Sequence, residues 1–415
     1  MLALVALLAL IGLATIVAGV FLWTDWQLRG ARRAVALGHN AEAIRRLRVV
    51  RRFRPDEPDV LLLSARVARR SGGWNEAELL LDRYSQLHGD DDALTLERLL
   101  LKATRGELAA AGPLLQLRID RHDPAAPLAR EALAAGLIYR FRLPEASELI
   151  DHWREQEPDS TLALLSAGKL HEQREQNTEA REDYRRLLTI DPQHDEARLR
   201  LTTLLLQLSQ GEEAADHLAL LRRHLPGHAE VLVQLARALD LQGKGDEARA
   251  ALDQCLQLRP DDPSALAERG RIANRDGDSK LAEELLARAT ALDPGDARAR
   301  YQYYLALSAN GKTDEALKEQ QQVRRIEADI QRLKELLGQL QWRPNDPDAN
   351  YEVAMIALRA GRPKETLRWL LNALEAGPNH GPTHRALAAY YQETGNPILA
   401  ARHRAMAQQL SGEAK

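Results

Sequence analysis

Small apolar residues return along this chain at a fixed interval. From Ala43 an alanine recurs every 34 residues at Ala77, Ala111, Ala146, Ala180, Ala214, Ala248, Ala282 and Ala316, with one extra residue before Ala146. After a step of 50 the same slot holds Thr366 and then Ala400. Twelve residues ahead lies a second small slot: Ala31, Ala65, Ala134, Gly168, Thr202, Ala236, Gly270, Ala354 and Ala388, broken by Leu99 and Tyr304. Leucine-rich stretches separate the slots, and turns such as GKGDEA (243–248) and stops such as RPDDP (259–263) punctuate them. A period in this range marks stacked supersecondary units.

Each unit reads as two antiparallel helices of roughly 12–15 residues joined by a short turn. Gly243 and Gly311 end one helix, Asp246 or Asp314 can cap the next, and Pro260 or Pro294 closes the unit. Two small slots per hairpin let helix backbones approach closely, which is a packing requirement and not a catalytic one.

On these residues the chain resembles the tetratricopeptide repeat (TPR) family. The small eighth and twentieth positions match its pattern, as do the prolines Pro55, Pro158, Pro192, Pro226, Pro260, Pro294 and Pro378. The likeness covers residues 24–414 in eleven units. It departs from the family in its first helices, where the fourth position never holds Trp and only Tyr391 supplies Tyr at the eleventh. The resemblance implies an all-α fold, an α-solenoid wound as a right-handed superhelix. The expected organisation is a membrane anchor over 1–23, then repeats one to eight with the first helix of repeat nine over 24–313. An extended helix over 314–341 and the last two repeats with their cap over 342–415 follow. No stretch is left for an ordinary catalytic domain, which takes on the order of 100 residues or more.

Residues 1–23 carry no charge, and Thr15 is their one weakly polar side chain. As a helix they would span roughly 35 Å, against a hydrocarbon core of about 30 Å. Trp23 and Trp26 sit where interfacial aromatics belong, and no Lys or Arg opens the segment as a cleaved signal would require. A single uncleaved anchor in the inner (plasma) membrane is therefore expected, with the lipid bilayer as a partner. Arg29, Arg32, Arg33, Arg45, Arg46, Arg48, Arg51, Arg52 and Arg54 follow it against two acids, Asp25 and Glu42. The positive-inside rule then sets the solenoid in the cytoplasm. The alternative is that several of these arginines form the solvated face of the first hairpin.

The chain carries 57 Lys and Arg against 60 Asp and Glu, a net of −3, so nothing global points to nucleic acid. Cys255 is the single cysteine and falls at a small, buried repeat position, so it reads as a structural thiol. His380 and His384 have a metal-like spacing, but Gly381 and Pro382 intervene and no third ligand has a defined spacing. Gly243-Lys244-Gly245 lacks the strand and spacing of a phosphate loop. No catalytic residue, cofactor, metal or small-molecule substrate is expected.

Function must then reside on surfaces. In the TPR family the first helices line a concave groove that binds segments of other proteins. Carried over, its groove-facing positions hold Lys169, Arg200, Arg237, Arg271 and Asn274, either a basic stripe for acidic segments or scattered solvated charge. Tyr301 and Tyr351 occupy fifth positions and Met355 a ninth, which favours the C-terminal third as the peptide-contact region. The 16 extra residues of the ninth unit carry an apolar seam of Val323, Ile326, Ile330, Leu333, Leu337 and Leu340 at 3, 4, 3, 4, 3. It either packs on the next unit or pairs with a second copy. The whole reads as a membrane-anchored adaptor in envelope assembly or regulation. The alternatives are an outward-facing assembly factor or chaperone for secretion, polysaccharide export or cytochrome maturation, or a non-catalytic arm of a transferase complex.

Overall fold

A computed structural model describes residues 2–412, with the side chains of residues 11, 12 and 14–411. Among the described residues there are helices and no strands. They pair as consecutive hairpins: α1 (Leu2–Leu37) with α2 (Asn40–Phe53), α3 (Pro58–Arg70) with α4 (Trp74–His88), and α5 (Asp92–Thr104) with α6 (Leu108–Asp120). Next come α7 (Ala126–Tyr139) with α8 (Leu143–Gln156), α9 (Thr161–Gln173) with α10 (Asn177–Ile190), and α11 (Asp195–Gln207) with α12 (Gly211–His224). Then follow α13 (Ala229–Leu241) with α14 (Gly245–Leu258), and α15 (Pro263–Arg275) with α16 (Ser279–Leu292). The last are α17 (Ala297–Ala309) with α18 (Thr313–Trp342), α19 (Pro347–Arg359) with α20 (Pro363–Ala376), and α21 (Gly381–Glu393) with α22 (Pro397–Gly412).

The periodic slots are where the core forms. Ala43, Ala77, Ala111, Ala146, Ala180, Ala214, Ala248, Ala282, Ala316, Thr366 and Ala400 are all buried, while the exceptions Leu99 and Tyr304 stay half-buried. At Gly168 the slot admits nothing larger, because a Cβ there would sit 2.6 Å from Tyr184 Cζ. The hairpin turns use Gly243 (φ +75) and Gly311 (φ +76) in the left-handed region. Asp246 and Asp314 do not cap. Lys244 and Lys312 take the cap positions, and both aspartates lie inside the first turn, where their charge faces the positive end of the helix dipole. Most of the aspartates that do cap precede first helices: Asp91 accepts from Leu94 N, Asp262 from Ala265 N and Asp346 from Ala349 N, while Asp278, accepting from Leu281 N, caps the second helix α16.

The chain divides into two compact units, Met1–Tyr139 with Leu143–Leu201, and Arg140–Arg142 with Thr202–Lys415. In the first, α1, α3, α5, α7 and α9 pack side by side, each on the next. In the second, α13, α15 and α17 do the same. These first helices thus form one layer in each unit, and second helices back it.

About half of the expected membrane segment, residues 1–10 and 13, lies outside the described side chains. Among the described residues, no helix is long and apolar enough to cross a membrane. The helix that contains this segment, α1, continues without a break to Leu37 and into the first hairpin, where Leu28, Ala31, Ala34 and Val35 join its core.

The insertion extends α18 to 30 residues. Of its seam, Val323 and Leu340 are buried, Ile326, Leu333 and Leu337 are half-buried, and Ile330 is 42% exposed. Leu336, outside the seam, is 1% exposed. The distal part of α18 lies against α19, tied by Arg332 to Glu352 (2.7 Å) and Arg359 to Asp329 (2.9 Å).

Candidate peptide-binding surfaces

Charges on the first-helix layers are paired between repeats, consecutive ones in most cases. In the first unit, Arg66 Nε on α3 donates to Glu97 Oε1 on α5 at 2.8 Å. Arg70 on α3 grips Glu131 on α7 with two bonds, Nε to Oε1 at 2.7 Å and Nη2 to Oε2 at 2.8 Å. Arg69, 2% exposed, donates to Thr104 Oγ1 at 3.0 Å and lies 3.6 Å from Glu131. Burial alone would raise the Glu131 carboxyl, yet Arg70 and Arg69 outweigh it and hold it at about 2.

The same pairing neutralises the residues read as a basic stripe. Lys169 Nζ meets Glu196 Oε1 at 2.7 Å, and Arg200 Nη1 donates to Glu172 Oε2 at 2.8 Å. Burial would raise Glu196, but Lys169 and Arg200 bring it to about 2. In the second unit, Arg237 Nε donates to Glu268 Oε1 at 2.6 Å, and Arg271 bonds Asp240 at 2.7 Å and Glu268 at 2.8 Å. Asn274 Nδ2 donates to Gln302 O at 2.8 Å and Oε1 at 3.1 Å. These groups form a ladder of opposite charges and carry no excess of positive charge.

A signal for this ladder is present in the sequence. Arg66 and Glu97, Arg237 and Glu268, and Asp240 and Arg271 are each 31 residues apart, one repeat less a turn. Opposite charges at that spacing face each other across neighbouring first helices.

Sequence reasoning gives no hint of a second arrangement in the first unit. The turn between α1 and α2 reaches the loop ahead of α11, where His39 Nε2 lies 2.5 Å from Asp191 Oδ2 and Asn40 Nδ2 3.5 Å from Glu196 Oε2. Gly38 (φ +80) stands close to the buried His194 ring, with a would-be Cβ 3.1 Å from Nε2. Burial pushes the His194 pKa below its usual value. No short-range pattern encodes a meeting of residues more than 150 positions apart.

The aromatic residues behave differently. Tyr301 is 48% exposed on α17 and makes a ring pair with Tyr304 at 5.9 Å, and Leu305, one turn on, is also exposed. Tyr351 and Met355, one turn apart on α19, are half-exposed, with the Tyr351 ring 5.5 Å from His380. These side chains give α17 and α19 an apolar character that the charge ladder lacks. His384, by contrast, is buried with Nδ1 2.9 Å from His403 Nδ1 and Nε2 2.9 Å from Pro378 O. Cys255 is buried, and burial raises its thiol pKa.

The sequence profile of the tetratricopeptide repeat matches residues 28–92, 114–195 and 233–297, and a second profile of the same repeat matches 172–226. Together they cover more than half of the chain. It belongs to the tetratricopeptide repeat family.

Solved structures share the repeat. The crystal structure of MamA protein has 22% identity over 40% of this chain and 92% of that one, with a TM-score of 0.33. PilW, a widely conserved type IV pilus biogenesis factor, has 18% identity over 48% of this chain and 93% of its own, at a TM-score of 0.43. YrrB, a TPR protein with an unusual peptide-binding site, has 18% identity over 50% and 98%, at 0.30. No curated protein matches the chain by sequence.

Proposed function

We propose that this TPR protein is a non-catalytic scaffold that binds segments of other proteins in its second unit, through the first helices α17 and α19. The observation that carries the reading is the contrast along the layers. Their charges satisfy one another from repeat to repeat, whereas Tyr301, Leu305, Tyr351 and Met355 present amphipathic and apolar side chains to solvent. Aromatic anchors of this kind dominate the energetics of recognition. A suitable partner is an apolar or amphipathic segment. The double variant Tyr301→Ala, Tyr351→Ala should lose partners in pull-down and keep its helical circular dichroism. Unchanged partners would place binding elsewhere.

In this reading α1 anchors the scaffold in the inner membrane, with the repeats facing the cytoplasm. The apolar run over 1–23 and the nine arginines that follow it support this. A C-terminal alkaline phosphatase fusion should be inactive and a fluorescent protein fusion bright. An active phosphatase would turn the scaffold outward and favour an assembly factor or chaperone of the envelope.

A further inference from the structure

Three arginines on α2 break the rule of pairing that holds on the first-helix layers. Arg48, Arg51 and Arg52 project from one face of the helix, at i, i+3 and i+4, where like charges repel. Arg51 has one carboxylate, Glu76, at 3.5 Å. Among the described residues, Arg48 and Arg52 have no carboxylate within ion-pair reach.

The three line a groove of about 610 Å³ between α2 and the α3–α4 hairpin. Its apolar lining comes from Ile44, Leu47, Val67 and Ala68, and Glu76 is its one acid. A cationic rim over an apolar floor suits an amphiphilic anion.

The neighbours of the groove indicate which one. The C-terminal end of α2 lies beside the end of the apolar run on α1. Arg54 Nη2 donates to Phe21 O at 2.7 Å and its guanidinium stands 3.8 Å from the Phe21 ring centroid. Phe53, 52% exposed, meets Trp23 edge to face at 6.1 Å, and Arg46 stacks on Trp26 at 5.1 Å. Tryptophan, phenylalanine and arginine interleaved in this way suit the water–lipid boundary. Arg51 and Arg52 adjoin Phe53 and so lie at the same level.

We propose that this groove holds the headgroup of an anionic phospholipid. Arg48, Arg51 and Arg52 take the phosphate, and Ile44, Leu47, Val67 and Ala68 support the glycerol and upper acyl portion. The inference rests on the reading of α1 as a membrane anchor. A peptide phosphate would satisfy the arginines but would leave the exposed aromatic collar unexplained.

The test is native mass spectrometry of the full chain in detergent, titrated with phosphatidylglycerol and with phosphatidylcholine. Wild type should retain one phosphatidylglycerol in preference to phosphatidylcholine. The triple variant Arg48→Gln, Arg51→Gln, Arg52→Gln should lose that preference by on the order of ten-fold or more, with circular dichroism unchanged. Glu76→Gln, which frees Arg51, should strengthen it. A wild type without preference, or a triple variant that keeps it, overturns the proposal. So does displacement of the lipid by millimolar inorganic phosphate, which would assign the groove to the free anion. Carbonate extraction of membranes from the same cells reads the anchor separately. If wild type washes out, the anchoring reading fails, and the detergent titration still reports on the groove.

Discussion

Gly168 shows how one side chain carries the repeat's geometry. A Cβ there meets the buried Tyr184 ring, whose hydroxyl is already held by Glu172 Oε1 at 2.5 Å, so the ring has little room to yield. Gly168→Ala should therefore destabilise the first unit by about 1–3 kcal/mol, read by urea denaturation. The same unit should be sensitive to acid. Glu131 and Glu196 have folded pKa values of about 2, below the ordinary 4.5, so their contribution is complete above pH 4.5 and is lost as pH falls toward 2. The loss is roughly 3 kcal/mol each as an upper bound. His194 acts earlier: burial depresses its pKa, so the folded state excludes a proton that the unfolded chain takes up below about 6.5. Thermal melting followed from pH 7 to pH 3 should show stability declining first below pH 6.5 and steeply below 4.5. A flat profile would mean that the ion pairs exchange with water. The slots at Ala43 or Ala180 are legible in the sequence because a periodic packing constraint forces small residues on it. The partners of Lys169 or Arg237 are less so, because a charge on a helix face reads the same whether solvent or a neighbouring repeat receives it.

Among the elements, α18 departs furthest from the repeat. Its length follows from the extra residues, but a helical period alone does not say which side chains find a neighbour. Leu336, outside the heptad seam, is buried, while Ile330 within the seam stays exposed. The rotation of the helix also puts Arg332 beside Glu352 and Asp329 beside Arg359, and the seam's period carries no information about those pairs. Leu336→Ala should cost about 2–5 kcal/mol in the second unit. Ile330→Asp should cost less than about 1 kcal/mol. If Ile330→Asp also changes the mass measured by light scattering, the exposed part of the seam joins two chains. If the mass is unchanged, the extension serves the fold of its own unit.

Across the whole molecule, removal of residues 1–23 should leave a folded helical protein. The core of the first hairpin is built from Leu28 onward, and repeat stability is close to a sum of each unit and its neighbours. The measured loss should be confined to the contacts of Trp23 with Phe53 and of Phe21 with Arg54, and a truncated chain without helical circular dichroism would show that the apolar segment is part of the first repeat. The unbroken course of α1 from Leu2 to Leu37 has a mechanical consequence. A scaffold on a flexible linker samples a volume set by the linker's length, and its orientation is lost. Here the same rod of about 54 Å, at 1.5 Å per residue, serves as both stem and first repeat. With α1 as the proposed anchor, tilt or rotation imposed at one end passes along the continuous helix to the other, so the first unit would be held at a set angle and height like a bracket on a post. A short glycine-serine insertion after Trp23, ahead of the first repeat, would turn the bracket into a tether while leaving every repeat intact.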